Sequence, residues 1–528
     1  MIFLHNMLYF FYFLVFLFIF FMNYMYYKLF SSFNYTCIYL LFKIINVNGA
    51  PMIKFTQWFL NIFDNIFEYN TTQNNFIFDI FNNIYNNCSQ HSLKYTKKIF
   101  YEDYSTNFDD ILLIDQSFSV KSGSIAQVYK CYHKQLNKYV ALKVVHPNIN
   151  YQFHWFKKII DVYMYTTNFY IFKKYKLPFD FVTMYDDFLK QTDLNNEFNN
   201  MKNFKEFYKN NKKIIIPEPI FSSKNILIMD FYDGIFFNDI QCSEYFKTHI
   251  YTIFKLFNLD MLISKPILHN DLHIANWMIV SDLSGNNIDL SYVSFDNIKI
   301  VLLDFGYCNS NFYIDFTKRF IYYSDNDEHD KLLDLVISTV SSENNFKLDK
   351  NKIFEYMIMS HNNSSKKYSN NFSNNDYIDL NEQSSYIDIC INNCNNFDNS
   401  DNSDNSDNSD NSDNLFKNLN NVNFFDKINF LIYFLKYCIT NDISLNKHLF
   451  DLLIQFVIAW KNMSLYVYNI DRKKALSLSS YYSKKYNFED IYTYNSLIYS
   501  RDNQLYNIYD NNYLHDISFN NLNDSITI

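Results

Sequence analysis

His269-Asn270-Asp271-Leu272-His273-Ile274-Ala275-Asn276, followed after an apolar run by Val301-Leu302-Leu303-Asp304-Phe305-Gly306, decides how this chain is read. An aspartate, an asparagine five residues later and a second aspartate ahead of Phe-Gly are spaced for phosphate chemistry. Phosphoryl transfer needs little covalent help from a protein; it needs a positioned nucleophile and magnesium to neutralise phosphate charge. Asp271 is the candidate to accept a proton or orient a hydroxyl. Asn276 and Asp304 are the candidate metal ligands, because magnesium prefers hard oxygen donors. Asp and Asn abound in this sequence, so D-x-x-x-x-N alone would also suit a polar loop. The flanks separate the two readings: Leu268 and Trp277-Met278-Ile279-Val280 have the character of short strands, and 298–303 reads as a buried strand ending in Asp304.

Composition describes a folding chain with swollen polar loops. Its 528 residues are 48% hydrophobic, with 56 Phe and 47 Tyr, ample for a large core and for more than one unit. The bias toward Asn, Ile, Tyr, Phe and Lys is that of an AT-rich coding sequence, so a single Asn or Tyr says little. Net charge is −9 and arginine occurs only at Arg319, Arg472 and Arg501. No basic face results, and nucleic acid is not an expected partner. The cysteines are scattered; only Cys390 and Cys394 are close, without the second ligand pair a structural zinc site needs. Free thiols in a reducing compartment are expected.

Residues 1–27 carry no charged side chain, and Met7 to Met22 is unbroken apolar and aromatic sequence. The run is slightly short of the roughly 20 residues of a membrane span, and Tyr24 to Tyr27 would extend it into the interface. It has neither the basic start nor the small-residue cleavage site of a signal peptide. A membrane anchor or targeting segment is therefore expected over 1–30. Residues 49–108 read as a mostly helical extension, with amphipathic signals at Phe59 to Phe67 and Phe76 to Tyr85. On residue type alone, Lys54 and Gln57 are a solvated helix face.

From Ile111 the period changes. Residues 118–130 read as strand, small-residue turn and strand, and Tyr139-Val140-Ala141-Leu142-Lys143-Val144-Val145 as a further strand with one lysine inside. Ser122, Gly123 and Ser124 can bring backbone N–H groups to phosphates, and Lys143 can reach the α- and β-phosphates. A carboxylate on a following helix should pair with that lysine. Asp161 has a short side chain; Glu197, in a helical run from about Phe181 to Tyr208, is the preferred partner, with Phe188, Phe198, Met201 and Phe204 around it. Asn225 to Asp230 is the candidate hinge strand, which places Met229 and Asp230 at the nucleotide. Helices are expected over Ser243 to Ser264, Ser324 to Ser341, Ile428 to Thr440 and Lys447 to Trp460. Between them, 360–421 dissolves into Asn, Ser and Asp, with a D-N-S repeat that cannot bury a core and should be disordered.

In this order the motifs resemble those of a two-lobed, protein-kinase-like α+β fold. Gly123, Gly234 and Gly306 fall where such a fold needs an unhindered backbone: the phosphate loop, the turn after the hinge and the magnesium loop. The expected division is a helical extension over 49–108, an N-lobe over 109–233 and a C-lobe over 234–359. The low-complexity insert over 360–421, C-lobe helices over 422–500 and a tail over 501–528 complete it.

More narrowly, the chain resembles the UbiB family of atypical kinases, also called aarF-domain-containing kinases. His269 to Asn276 is similar to that family's H-A-D-x-H-x-G-N loop, with Asn270 and Ala275 as departures. Ser122 to Tyr129 is similar to its small-residue loop followed by S-I-A-Q-V. Lys54 to Gln57 resembles its K-x-G-Q signature with Thr56 in the glycine position. Gln191-x-Asp193 stands where E-x-D is usual, as in a divergent Q-x-D branch. The resemblance implies that Lys54 and Gln57 belong to an extension covering the cleft where a protein substrate would dock. It implies ATP and Mg2+ as cofactors, and ATPase or small-molecule kinase activity supporting ubiquinone and other prenyl-lipid metabolism. Implied partners are prenyl-lipid or quinone-pathway enzymes and membrane lipid, and a homodimer is admitted. The implied setting is an organelle membrane, mitochondrial or alternatively of a plastid. The Thr56 and Gln191 departures bear on the extension's inhibitory contact, since losing a Lys-Glu pair there would loosen the cover. Two rival readings share the His269 to Gly306 motifs: a phosphotransferase of the aminoglycoside or choline kinase type, which has no reason to carry S-I-A-Q-V, and a membrane-bound pseudokinase scaffold. An ordinary protein kinase is disfavoured because no A-P-E follows Asp304.

Overall fold

The computed structural model describes residues 34–57, 88–167, 181–240, 244–272, 274–281, 297–312, 314–325 and 328–338, helical pieces at 11–19 and 433–438, and isolated residues elsewhere. The amphipathic signals at 59–67 and 76–85, the insert at 360–421, nearly all of 447–460 and the tail lie outside the described residues. Of the expected anchor, residues 11–19 are described and helical. No helix among the described residues is long and apolar enough to cross a membrane. The chain forms two compact units, Met1–Tyr322 with Leu445–Ile528, and Tyr323–Ser444.

The first unit holds the N-lobe sheet and the C-lobe elements as far as Tyr322. Helix α1 (Tyr35–Asn48) precedes helical residues 50–57, then come α2 (Leu93–Tyr104) and the short α3 (Phe108–Ile111). Strands β1 (Leu112–Ile114), β2 (Lys121–Ser122), β3 (Ala126–His133) and β4 (Lys138–Val145) lead into α4 (Ile149–Thr167), α5 (Phe181–Lys190) and α6 (Leu194–Tyr208). Strands β5 (Ile214–Ile215), β6 (Pro219–Ser222) and β7 (Ile226–Asp230) follow. In the antiparallel N-lobe sheet the order is β1-β3-β4-β7-β6, with β2 on β3. Alternation explains what β4 does. Val140, Leu142 and Val144 enter a core with Phe100, Tyr129, Cys131, Ile226 and Ile228, so Lys143 between them faces the opposite way.

The helical run expected over 181–208 is two helices. Asp193 caps α6 by accepting the Asn195 N–H at 3.0 Å, and the chain turns at Gln191 and Thr192 before it. On α6, Leu194, Glu197, Met201, Phe204 and Tyr208 share the buried face. A glutamate on that stripe is held by something other than solvent.

The C-lobe continues with β8 (Ile235–Phe236), α7 (Glu244–Ser264), β9 (Ile267–His269), β10 (Trp277–Ser281), β11 (Ile298–Leu302), β12 (Cys308–Ser310) and α8 (Ile314–Asp325). One sheet runs β5-β11-β10-β8, and β12 pairs with β9. The β9–β12 pair brings the 269–276 and 304–306 loops together, since Cys308 lies opposite His269. In the second unit, α9 (His329–Ile337) buries Leu332, Leu333 and Val336, and Lys350 bonds Asp330 at 3.3 Å and also Asp334. The helical stretch expected over 324–341 holds the end of α8 and then α9, while most of α8 precedes the expected bounds.

Gly234 has no room for a side chain. A Cβ there would lie 2.5 Å from Met278 Sδ and 2.8 Å from the Ile279 carbonyl oxygen. Gly123 differs from expectation, because a Cβ would meet only the Ala126 carbonyl oxygen at an ordinary 3.6 Å. Gly234→Ala should therefore cost about 1–3 kcal/mol in denaturant unfolding, while Gly123→Ala should leave stability within about 0.5 kcal/mol of wild type.

Candidate active site

Lys143, on the cleft-facing side of β4, places its Nζ 2.8 and 2.7 Å from the two oxygens of Glu197 on α6. The same ammonium lies 3.3 Å from Asp304 Oδ2. Three residues far apart in sequence meet at one point, and the side chain of Glu197 is only 2% exposed. Asp161, the rejected alternative, spends its carboxylate on Lys157 one turn away along α4.

The loops behind this point are fixed by the backbone. Gly306 N–H donates to Asp304 Oδ1 at 2.8 Å. His269 is fully buried, its Nε2 meets the Asp304 carbonyl oxygen, and its Nδ1 accepts the Asp271 N–H at 3.2 Å. The Nε2 must carry the proton, since a carbonyl only accepts. This imidazole therefore joins the two loops, a role the motif alone did not reveal. Asn276 donates its Nδ2 to the Asp271 carbonyl at 2.7 Å, which turns Oδ1 away as a remaining acceptor.

Charge is distributed unequally. Burial works against the Lys143 ammonium, yet Asp304 and Glu197 together hold its pKa above the ordinary lysine value. Burial also opposes the Asp304 carboxylate, but Lys143, Lys54 and the Gly306 N–H keep its pKa below the usual range. Glu197 is the group that gives way: burial raises it from 4.5 to about 7, with Lys143 offsetting only part. Cys308, beside these carboxylates, is held strongly as a thiol by burial and by the charge of Asp304.

Lys54 reaches the same place from helical residues 50–57. Its Nζ pairs with Asp271 Oδ2 at 3.2 Å, the two side chains being 16% and 20% exposed. Gln57, half-buried, is one turn further along the same helix. Thr56, in the signature's glycine position, fits by returning its hydroxyl to the Met52 carbonyl at 2.8 Å. Lys54 has a carboxylate partner in this fold, the catalytic candidate itself. Gly49, with φ +85°, starts this helix, and Gln152 of α4 caps the first N–H at Ala50 from 2.9 Å.

The other candidates are less central. Ser122 is buried and its hydroxyl lies 3.3 Å from the Ser89 carbonyl, facing inward. Gly123 spends its N–H on Ala126 at 3.0 Å, because the tight turn closes on itself. The N–H of Ser124 has no partner among the described residues. Met229 is buried opposite Ala141, and the Asp230 carboxylate is committed to Lys138 of the adjacent strand. Neither side chain joins the carboxylate cluster.

These residues suit a magnesium nucleotide. Asp304 and the Asn276 Oδ1 are hard donors, and among the described residues no cluster of three or more His, Cys, Asp or Glu could hold a metal alone. Magnesium is usually held in that way, by one or two side chains with phosphates and water completing the shell.

Residues 83–329 match the family model of the ABC1 atypical kinase-like domain. Among solved structures, the Rv3197–erythromycin complex from Mycobacterium tuberculosis is similar at 16% identity and a TM-score of 0.37, over 48% of this chain and 62% of that one. The Rio2 kinase–ADP/Mg2+–phosphoaspartate complex from Chaetomium thermophilum is similar at 14% identity and a TM-score of 0.26, over 43% and 56%. The chain spans less than two thirds of either structure's length. No curated protein matches it in sequence.

Glu197 binds its proton more tightly in the fold than in the unfolded chain. Its contribution to stability is complete below its ordinary 4.5 and is lost as pH rises through about 7. A Glu197→Gln variant escapes that loss, so its melting temperature relative to wild type should climb between about pH 5 and about pH 8.

Proposed function

We propose that this protein, whose residues 83–329 match the ABC1 atypical kinase-like domain, binds ATP with magnesium and transfers the γ-phosphoryl group to water or a small acceptor. The meeting of Lys143 with both Glu197 and Asp304 carries this reading. That arrangement sets an ammonium where nucleotide phosphates would lie and the partly exposed Asp304 carboxylate where a metal would sit. Bound magnesium would neutralise charge on the transferring group, held by Asp304 and Asn276. Asp271 orients the attacking hydroxyl. Lys54 stands over that carboxylate, which disfavours a bulky protein acceptor and supports a small one.

The physiological role belongs to the same proposal: support of ubiquinone or other prenyl-lipid synthesis at an organelle membrane, mitochondrial by preference, with pathway enzymes and lipid as partners. Phe11, Leu14, Leu17 and Phe18, exposed on helical residues 11–19 within an uncharged N-terminus, support a lipid-facing surface.

Release of ADP from Mg-ATP tests the activity. Asp271→Asn should lower the rate by about 10²-fold or more, and Asp304→Ala should abolish magnesium-dependent nucleotide binding. Equal rates in wild type and Asp271→Asn would favour a nucleotide-binding scaffold.

A further inference from the structure

Two histidines outside the carboxylate cluster form a hydrogen-bonded pair beneath the small-residue loop. His91 precedes α2 and His146 follows β4; their Nδ1 atoms are 2.8 Å apart. His146 Nε2 lies 3.0 Å from the Gly123 carbonyl oxygen and 3.3 Å from Ser122 Oγ. On the far side, His91 Nε2 is 2.9 Å from Thr96 Oγ1, which is 2.8 Å from the Tyr129 hydroxyl. Gln127 donates its Nε2 to that hydroxyl at 2.5 Å and accepts the His91 backbone N–H on Oε1 at 2.9 Å.

The chain of bonds has one consistent proton arrangement. A carbonyl only accepts, so His146 Nε2 carries a proton and its Nδ1, in the neutral ring, accepts. His91 must then donate from Nδ1 and accept at Nε2 from Thr96, which accepts in turn from Tyr129. Burial lowers the pKa of both rings, that of His91 to about 4, so this neutral arrangement persists at physiological pH. The neighbouring titratable groups Tyr95, Tyr129 and Cys88 are each pushed up by burial and stay neutral.

One residue therefore holds the loop at two points: His146 donates its ring N–H to Gly123 and its backbone N–H to the Ile125 carbonyl at 2.9 Å. In a trans peptide the C=O and N–H point in opposite directions. Anchoring the Gly123 carbonyl on the buried imidazole turns the Ser124 N–H outward. That N–H is unpaired among the described residues.

We propose that the His91–His146 pair clamps the loop so that His146 acts as a positioning residue, aiming the Ser124 N–H at a nucleotide phosphate. The inference rests on the nucleotide reading above. It adds to that reading a specific claim: the pair governs affinity for phosphate and leaves the nucleoside untouched.

Binding of Mg-ADP and of adenosine, measured by titration calorimetry on the full chain, tests it. His146→Leu should weaken Mg-ADP by about three- to tenfold, the value of one hydrogen bond, and leave adenosine unchanged. His146→Gln, whose amide nitrogen falls near the position of Nε2, should restore Mg-ADP affinity. His91→Leu should give the same phosphate-selective loss at smaller size, and serves if His146→Leu does not fold. Equal weakening of both ligands, no weakening of either, or failure of the glutamine to restore affinity would overturn the clamp. Absence of Mg-ADP binding by the wild type would overturn the nucleotide reading and the clamp with it.

Discussion

One ammonium facing two carboxylates sets the terms for this molecule. Lys143 can stay charged in a buried setting because Glu197 and Asp304 approach it from different elements, and the buried carboxylate of Glu197 has no other cation to offset its charge among its described hydrogen-bond partners. Two negative charges against one positive leave an imbalance, which falls on the more deeply buried Glu197. A magnesium nucleotide would redress that balance by drawing on Asp304. The N-lobe sheet, the cap at Asp193 and the β9–β12 pair all place one member of this triad.

The surrounding contacts serve the same point. His269 joins the 269–276 and 304–306 loops, so Asp271 and Asp304 are set by one ring. The N-terminal extension adds a second cation, Lys54, whose charge is felt at both Asp271 and Asp304. Helical residues 50–57 are seated by Phe55 against Phe156 of α4 and Phe181 of α5, and by the Gln152 cap.

Much of this was legible in the residues because it follows local rules. The alternation of Val140, Leu142 and Val144 fixes the side on which Lys143 emerges, and an acidic residue on an otherwise apolar helix stripe singles out Glu197. What was not legible depends on partners distant in sequence. Lys54 looks like any solvated lysine until Asp271 is seen beside it. His91 and His146 carry no motif, and their pairing exists only once α2 packs on β3. The break at Gln191 and Thr192 was masked by apolar periodicity that continues on both sides, and only the capping geometry of Asp193 reveals it. Gly123 misled in the other direction, because a glycine in a phosphate loop suggests steric need where the turn has space.

The lysine on Asp271 has a further consequence. Being part of the same chain, it would, under the proposed reaction, act as a tethered competitor whose local concentration is fixed by the fold, and short flexible tethers reach the millimolar range. A hydroxyl that would use Asp271 must displace this resident cation. Apparent acceptor affinity would then report the extension's grip as much as the acceptor's own fit, and anything that lifts the extension would act as an activator without touching the nucleotide.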